Sequence, residues 1–308
     1  MSITVINPGL QTTVQDLSRD GYAHFGISPS GAADSSSLRL GNIIVGNNKD
    51  SAGLEMTILG GTFQFSSDAI IAITGSRFQM SLDNDKIPHQ KRIYIKKGQT
   101  LSIGQTQEGA RCYLSVKGGI KVNKYLSGKT THVMSKLGGY RGRPIKKDDK
   151  IKIGNPILNT PKVGFDKVFK IDRTKIKITK GLQSDWFSVS CWKQFLSHTF
   201  TVSNVYSRMG IRLVENKIDS SKGNEILTEG IPNGAIQVPA NGEPIITFVE
   251  HQTTGGYPKI ANVITSDLCK VGQLKPNDKF KFQLASFEEA ENFRIKQEAF
   301  FQQIENYE

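Results

Sequence analysis

The chain has 308 residues, 37% of them apolar and 22% charged, enough for two domains or one large β architecture and typical of a globular protein. No apolar run approaches the roughly 18 residues of a membrane span, and Met1 to Leu10 lacks a basic segment followed by an apolar one, so no membrane association or secretion signal is expected and the cytoplasm is the expected compartment. The net charge of +12 is dispersed, with Lys146-Lys147 followed at once by Asp148-Asp149, which argues against a nucleic-acid stripe and leaves open an acidic protein partner or a phosphorylated substrate.

The first predicted helix has Asp34 as N-cap, an imperfect apolar face of Leu38, Leu40, Ile44 and Val45, and a stop at Gly46-Asn47. The small, polar Ser28 to Ala33 precedes it, so its N-terminus either holds an anion or is an ordinary capped end covering a barrel. Strand signals follow. Phe78 to Leu82 alternates, Asn84-Asp85 supplies a turn, Thr100 to Ile103 continues the pattern, Arg111 to Val116 ends at Gly118-Gly119, and Lys150 to Ile153 ends at Gly154-Asn155-Pro156. Between Asn155 and Phe169 the periodicity breaks around Pro156 and Pro161. This divides the chain into a first β domain, 1–157, and a second, 165–285.

In the second half Lys175 to Ile178 alternates, Trp186 to Phe195 predicts a short helix, and Phe200 to Val205 and Arg212 to Val214 predict strands. Ala235 to Pro239 is followed by a hairpin signal at Asn241-Gly242. A final helix, 286–308, opens on a capping box of Ser286 and Glu289.

The strand Pro244 to Val249 empties into Glu250 to Ile260, which carries Gln252-Thr253-Thr254-Gly255-Gly256-Tyr257-Pro258. Two hydroxyls and a carboxamide offer donors and acceptors, and the glycines lack the Cβ that would keep a ligand from the backbone amides. The alternative is a tight connection that needs positive φ. Thr12, Thr13 and Gln15 echo the same pattern early in the chain and suggest a duplicated domain. Cys112, Cys191 and Cys269 are too scattered for a disulfide framework, and the five histidines form no HxH or HxxxH pair, so no sequence-local metal site is expected. Gly128-Lys129-Thr130 ends like a phosphate-binding loop, but Asn123 stands where that motif needs glycine.

Taken in order, Gly9 to Leu17, Gly21-Tyr22 to Gly26, Ser30 to Asp34, Gly46-Asn47 with Leu54-Glu55, Tyr113 to Gly119, Gly138-Gly139 with Gly142-Arg143, Ser207 to Leu213, Thr228 to Ile231, Gly234 to Pro239 and the Gln252 to Pro258 run resemble the allophanate hydrolase subunit 2 family, over about residues 3–284. The resemblance implies a mainly β fold, two tandem cyclophilin-like β-barrel domains with a few short helices and a C-terminal helix. It implies one part of an ATP-dependent 5-oxoprolinase complex that opens 5-oxo-L-proline to L-glutamate, beside a KipI-like subunit 1 protein (the B subunit) and a LamB/YcsF-like protein (the A subunit). The family also implies two alternatives. One is biotin-dependent carboxyl transfer to a small amide, as in urea carboxylase; Val133-Met134-Ser135-Lys136 is a poor biotinyl site, so the biotin would come from another chain. The other is a regulatory, KipA-type role without catalysis.

ATP chemistry on a lactam needs donors for a phosphate and an oxyanion and a group that handles protons. On the resemblance, Arg208 and the Gly255-Gly256 backbone serve the anion, Thr253 and Thr254 bond the substrate, and Asp34, Glu229 or Glu250 handles protons. Thr12, Thr13, Gln15, Gln237, Gln252 and Tyr257 complete the expected binding set for a small amide or carboxylate. Three positions depart from the family pattern: no acidic residue adjoins Arg208, Glu250-His251 stands where an Asp is common, and Ala33-Asp34 replaces Met-Asp.

Overall fold

Strand Ser2–Asn7 shows how alternation becomes structure: Ile3 and Val5 are fully buried while Ser2 and Thr4 between them are half-buried. The structure is a computed structural model that describes residues 1–155 and 169–305. Among the described residues there are twenty strands and four α-helices: α1 (Ser35–Val45), α2 (Val189–Ser197), α3 (Leu268–Gly272) and α4 (Phe287–Glu305). The chain groups into two units, one of Met1–Asp20, Ser30–Lys170 and Phe300–Glu308, the other of Gly21–Pro29 and Ile171–Ala299. The expected boundary between residues 157 and 165 lies outside the described residues.

In the first unit a six-stranded sheet runs in the order Lys150–Lys152, Ser2–Asn7, Thr62–Phe65, Thr100–Thr106, Phe78–Leu82, Asp85–Lys86. A five-stranded sheet runs Gln11–Gln15, Gly53–Thr57, Arg111–Val116, Ala69–Gly75, Ile93–Ile95. Their inner faces share one core, with Ile3, Val5, Phe63 and Phe65 from the first sheet and Leu54, Met56, Ile71 and Leu114 from the second. Each such side chain contributes roughly 1.5–3 kcal/mol through burial. The other face of the five-stranded sheet is covered as well, where Ile70 and Ala72 pack with Leu40, Ile43 and Ile44 of α1 and Phe301 and Ile304 of α4. Burial on two faces explains why Arg111–Val116 is buried at every position.

Local signals decide the helix ends. The Asp34 carboxylate accepts from Ser37 N at 2.9 Å, and Gly46, at φ 71°, closes α1. Ser286 N donates to Glu289 Oε2 at 2.7 Å while Glu289 N donates to Ser286 Oγ at 3.1 Å, the reciprocal capping box expected before α4. The early hairpin turns one residue sooner than expected: Leu82 pairs with Asp85, and Asp83 and Asn84, at φ 48° and 77°, form the two-residue turn.

The second unit is a closed seven-stranded barrel, ordered Lys175–Lys180, Lys259–Val263, Ala235–Gln237, Ile245–Thr247, Gly210–Val214, Phe200–Tyr206, Lys279–Leu284. Its neighbours are antiparallel except where the ring closes, with Lys175 to Ile178 parallel to Lys281 to Leu284. Phe195 of α2 stacks on Phe282 with centroids 4.9 Å apart, and Phe200 and Phe280 extend this aromatic core. The expected mainly β architecture with few helices is therefore what forms. The closed ring belongs to the second unit; in the first the strands divide between two sheets about one core. Cys112, Cys191 and Cys269 are free and buried. No described helix is long and apolar enough to cross a membrane.

Candidate functional site

A groove of about 540 Å³ opens on the second unit. One wall comes from the end of strand Phe200–Tyr206 and the turn after it, the floor from Gln237, Ile245 and Thr247 on barrel strands, and the other wall from His251, Gln252, Gly255, Gly256 and Tyr257. That second wall is fixed by a two-stranded ribbon in which Glu229 pairs with Gly255 and Gly230 with Thr254. Ile231 N donates to Thr253 O at 3.0 Å and Ile226 N to Gly256 O at 2.8 Å, extending the ribbon at each end.

Neither Gly255 nor Gly256 lies at positive φ, so the tight-turn alternative does not explain them. Close packing does. A Cβ on Gly255 would sit 2.4 Å from Ile231 Cδ1 and 3.3 Å from Gln237 Nε2. The glycine thus lets the loop lie directly against the groove floor.

Among the described lining residues Arg212 is the one permanent cation, and none is Asp or Glu. Gln237 is 7% exposed, and its Nε2 has no partner among the described residues. An unmet buried donor costs about 1–3 kcal/mol, which a ligand acceptor would recover. His251 is 6% exposed, and its Nδ1 lies 2.7 Å from Gln252 O. A carbonyl only accepts, so the ring carries its proton on Nδ1 and Nε2 is a bare lone pair. Burial lowers the His251 pKa below 6.5, against the smaller opposing effect of the Gln252 carbonyl. The groove is therefore a mildly cationic site with a carboxamide donor and an imidazole acceptor.

Of the residues singled out from sequence, Gln237, Gln252, Gly255, Gly256 and Tyr257 line this groove. Thr253 and Thr254 lie in the same loop but not in the lining, and their backbone serves the ribbon. Arg208 is buried and its Nε donates to Glu250 Oε1 at 2.5 Å, a pair of which the two side chains are 5% and 0% exposed. The guanidinium expected to hold an anion thus already holds Glu250, and neither residue lines the groove. Glu229 accepts from the buried Lys259 ammonium and, at 2.8 Å, from Gln183 Nε2. The Lys259 bond holds its carboxyl below the ordinary 4.5, which makes it a poor proton donor at neutral pH.

Asp34, Thr12, Thr13 and Gln15 belong to the first unit, where their polar atoms are engaged. Asp34 is fully buried and also accepts from Ser37 Oγ at 2.5 Å. Thr12 Oγ1 donates to Pro8 O at 2.6 Å, Gln15 Nε2 donates to Thr13 Oγ1 at 3.0 Å and Thr131 O at 3.1 Å, and Thr130 Oγ1 donates to Gln15 Oε1. The start of α1 is not an anion site: Ala33 N donates to Glu55 Oε2 at 2.8 Å, and Glu55 also accepts from Tyr113 OH at 2.8 Å. Burial first, and then the Glu55 charge, push the Tyr113 phenol well above 10. At the Gly128-Lys129-Thr130 loop the Asp16 carboxylate accepts from Lys129 N at 2.5 Å, so that backbone cradles an internal acid. His251 and Arg212 were not singled out from sequence. Their local signals were indirect: Arg212 lies within the Ser207 to Leu213 motif, and His251 is part of the departure from the family pattern just before the Gln252 motif.

The fold that carries this groove belongs to a known class. The family described as carboxyltransferase domain, subdomain A and B, matches residues 25–284, and the chain belongs to that family. Among individual proteins, it is 33% identical to the 5-oxoprolinase C subunit of Escherichia coli (strain K12) over 302 residues, which cover 98% of this chain and 97% of that protein. It is 32% identical to urea amidolyase of Saccharomyces cerevisiae, matching 96% of this chain but 17% of that larger protein. The crystal structure of Kluyveromyces lactis urea carboxylase superposes on 98% of this chain and 29% of that one, with a TM-score of 0.91 and 31% identity.

Proposed function

We propose that the chain is the C subunit of an ATP-dependent 5-oxoprolinase, opening 5-oxo-L-proline to L-glutamate in the cytoplasm together with a KipI-like B subunit and a LamB/YcsF-like A subunit. The observation that carries this reading is the groove. It pairs a lone arginine, Arg212, with an unmet carboxamide donor, Gln237 Nε2, and has no carboxylate among its described lining residues. A small cyclic amide acid has the complementary groups, a carboxylate for the arginine and a lactam carbonyl for the carboxamide. Near end-to-end correspondence with the E. coli 5-oxoprolinase C subunit supports the same choice. ATP activates the lactam by phosphorylating its carbonyl oxygen; the nucleotide is brought to the complex by a site other than a GxxxxGK[ST] loop, which the sequence lacks.

The likeness to urea carboxylase favours a second reading, transfer of a carboxyl group from biotin carried on another chain to a small amide. The two separate in one experiment. The chain is purified with its partner subunits and supplied with ATP and 5-oxoproline, or with ATP, bicarbonate, a biotinylated carrier and urea. ATP-dependent release of glutamate is expected. An intact complex that releases none and instead carboxylates the amide would establish the second reading.

A further inference from the structure

We propose that His251 is the proton acceptor of the groove, its Nε2 taking a proton from the water that attacks the amide carbonyl of the bound ligand. This deepens the reading of the groove as the substrate site and rests on it. The argument begins with elimination. Glu250 is bound to Arg208, Glu229 is bound to Lys259, and neither lines the groove. The other titratable lining residues are Tyr206, Arg212 and Tyr257, and none of these side-chain types accepts a proton readily at neutral pH. His251 remains.

Its geometry suits the role. The Gln252 carbonyl fixes the proton on Nδ1 and so leaves Nε2 as an acceptor without a partner among the described residues. The main chain that carries the ring is pinned, with His251 N donating to Phe248 O and Glu250 N to Arg208 O, each at 2.8 Å. Burial of the ring disfavours a lasting imidazolium, so the ring returns its proton rather than storing it. In the step itself, the water oxygen bonds to the carbonyl carbon as Nε2 takes a water proton. The carbon–nitrogen bond then breaks, the ring nitrogen of the lactam keeps the electron pair, and it receives the proton back from Nε2. The phosphoryl group that ATP placed on the carbonyl oxygen stays there as an acyl phosphate, which a second water cleaves to the carboxylate and inorganic phosphate; the amide has then become an acid and an amine, and the imidazole ends neutral.

The test uses His251→Gln, which keeps a polar side chain but removes the base. In the reconstituted complex its kcat for 5-oxoproline should fall about 100-fold or more with KM changed by about twofold at most. Wild-type kcat/KM should decline on the acid side with an inflection below pH 6.5, and the residual activity of the variant should lack that inflection. Independently, long-range proton–nitrogen spectra of the wild-type full chain should show the Nδ1–H tautomer and a saturable shift of His251 Nε2 on addition of 5-oxoproline. Wild-type kcat or an unchanged pH profile in the variant would overturn the proposal. So would a His251 resonance indifferent to saturating 5-oxoproline. If the wild-type complex turns over no 5-oxoproline, the proposed function falls, and the spectra still decide whether His251 meets this ligand; they decide equally if the variant does not fold.

Discussion

Replacing Arg208 with alanine separates two roles for this arginine. If it binds substrate, activity is lost and the fold is kept; if it neutralises Glu250, the fold suffers first. The pair is nearly sealed from water, at 5% and 0% side-chain exposure, with Nε 2.5 Å from Oε1. Removing the cation strands a buried carboxylate, which costs about 3–5 kcal/mol, a large part of the 5–15 kcal/mol typical of a domain. At about 2–4 °C per kcal/mol the midpoint should fall by roughly 6–20 °C. Tryptophan fluorescence reads this cleanly, because the two tryptophans of the chain, Trp186 and Trp192, are both in the second unit. Adding Glu250→Gln to the variant should recover part of the loss, and the pair Arg208→Met with Glu250→Leu should lie near wild type. A tryptophan transition that stays within about 1 kcal/mol of wild type in Arg208→Ala, with turnover abolished, would refute this reasoning and return Arg208 to the ligand.

Gly255→Ala should act on binding more than on stability. Its backbone is not at positive φ, and the Ile231 Cδ1 in its way is the end of a flexible side chain, so a cost of about 1–3 kcal/mol is expected; calorimetric titration with 5-oxoproline should nevertheless show weakened affinity, because Gln237 Nε2 is crowded. His89 tests the first unit. Burial holds its pKa at about 4 against an ordinary 6.5, so the stability it gives is complete above pH 6.5 and is lost as pH falls towards 4, by up to about 3 kcal/mol. Hydrogen exchange of the first unit's strand amides should show this slope, and His89→Gln should flatten it.

What could be read from sequence was what neighbours along the chain decide. Asp34 and Gly46 bound α1, and Ser286 with Glu289 opens α4, because caps are contacts within one turn. The alternation of Phe78 to Leu82 and Phe200 to Val205 gave strands for the same reason. The partners of the carboxylates could not be read from sequence because they are distant: Glu250 meets Arg208, and Glu229 meets Lys259, only once the barrel register is set. A carboxylate in a motif looks the same in sequence whether it faces a ligand or an arginine. The Gly255-Gly256 loop was located for a reason that proved incomplete, since the close approach it permits is by Ile231 and Gln237. His251 showed in sequence only as a departure from the family pattern, because the role proposed for it depends on burial and on which ring nitrogen the adjoining carbonyl holds.

The parallel seam between Lys175 to Ile178 and Lys281 to Leu284 joins segments about a hundred residues apart. During synthesis the second unit therefore cannot complete its ring until residue 284 has emerged, and its early strands must wait with one side open. A product cut short before Lys279 would leave Lys175–Lys180 and Phe200–Tyr206 as permanent free edges, ready to pair with other chains. Quality control in the cell would meet such fragments as aggregating species, because the strand that closes the ring is the last one made.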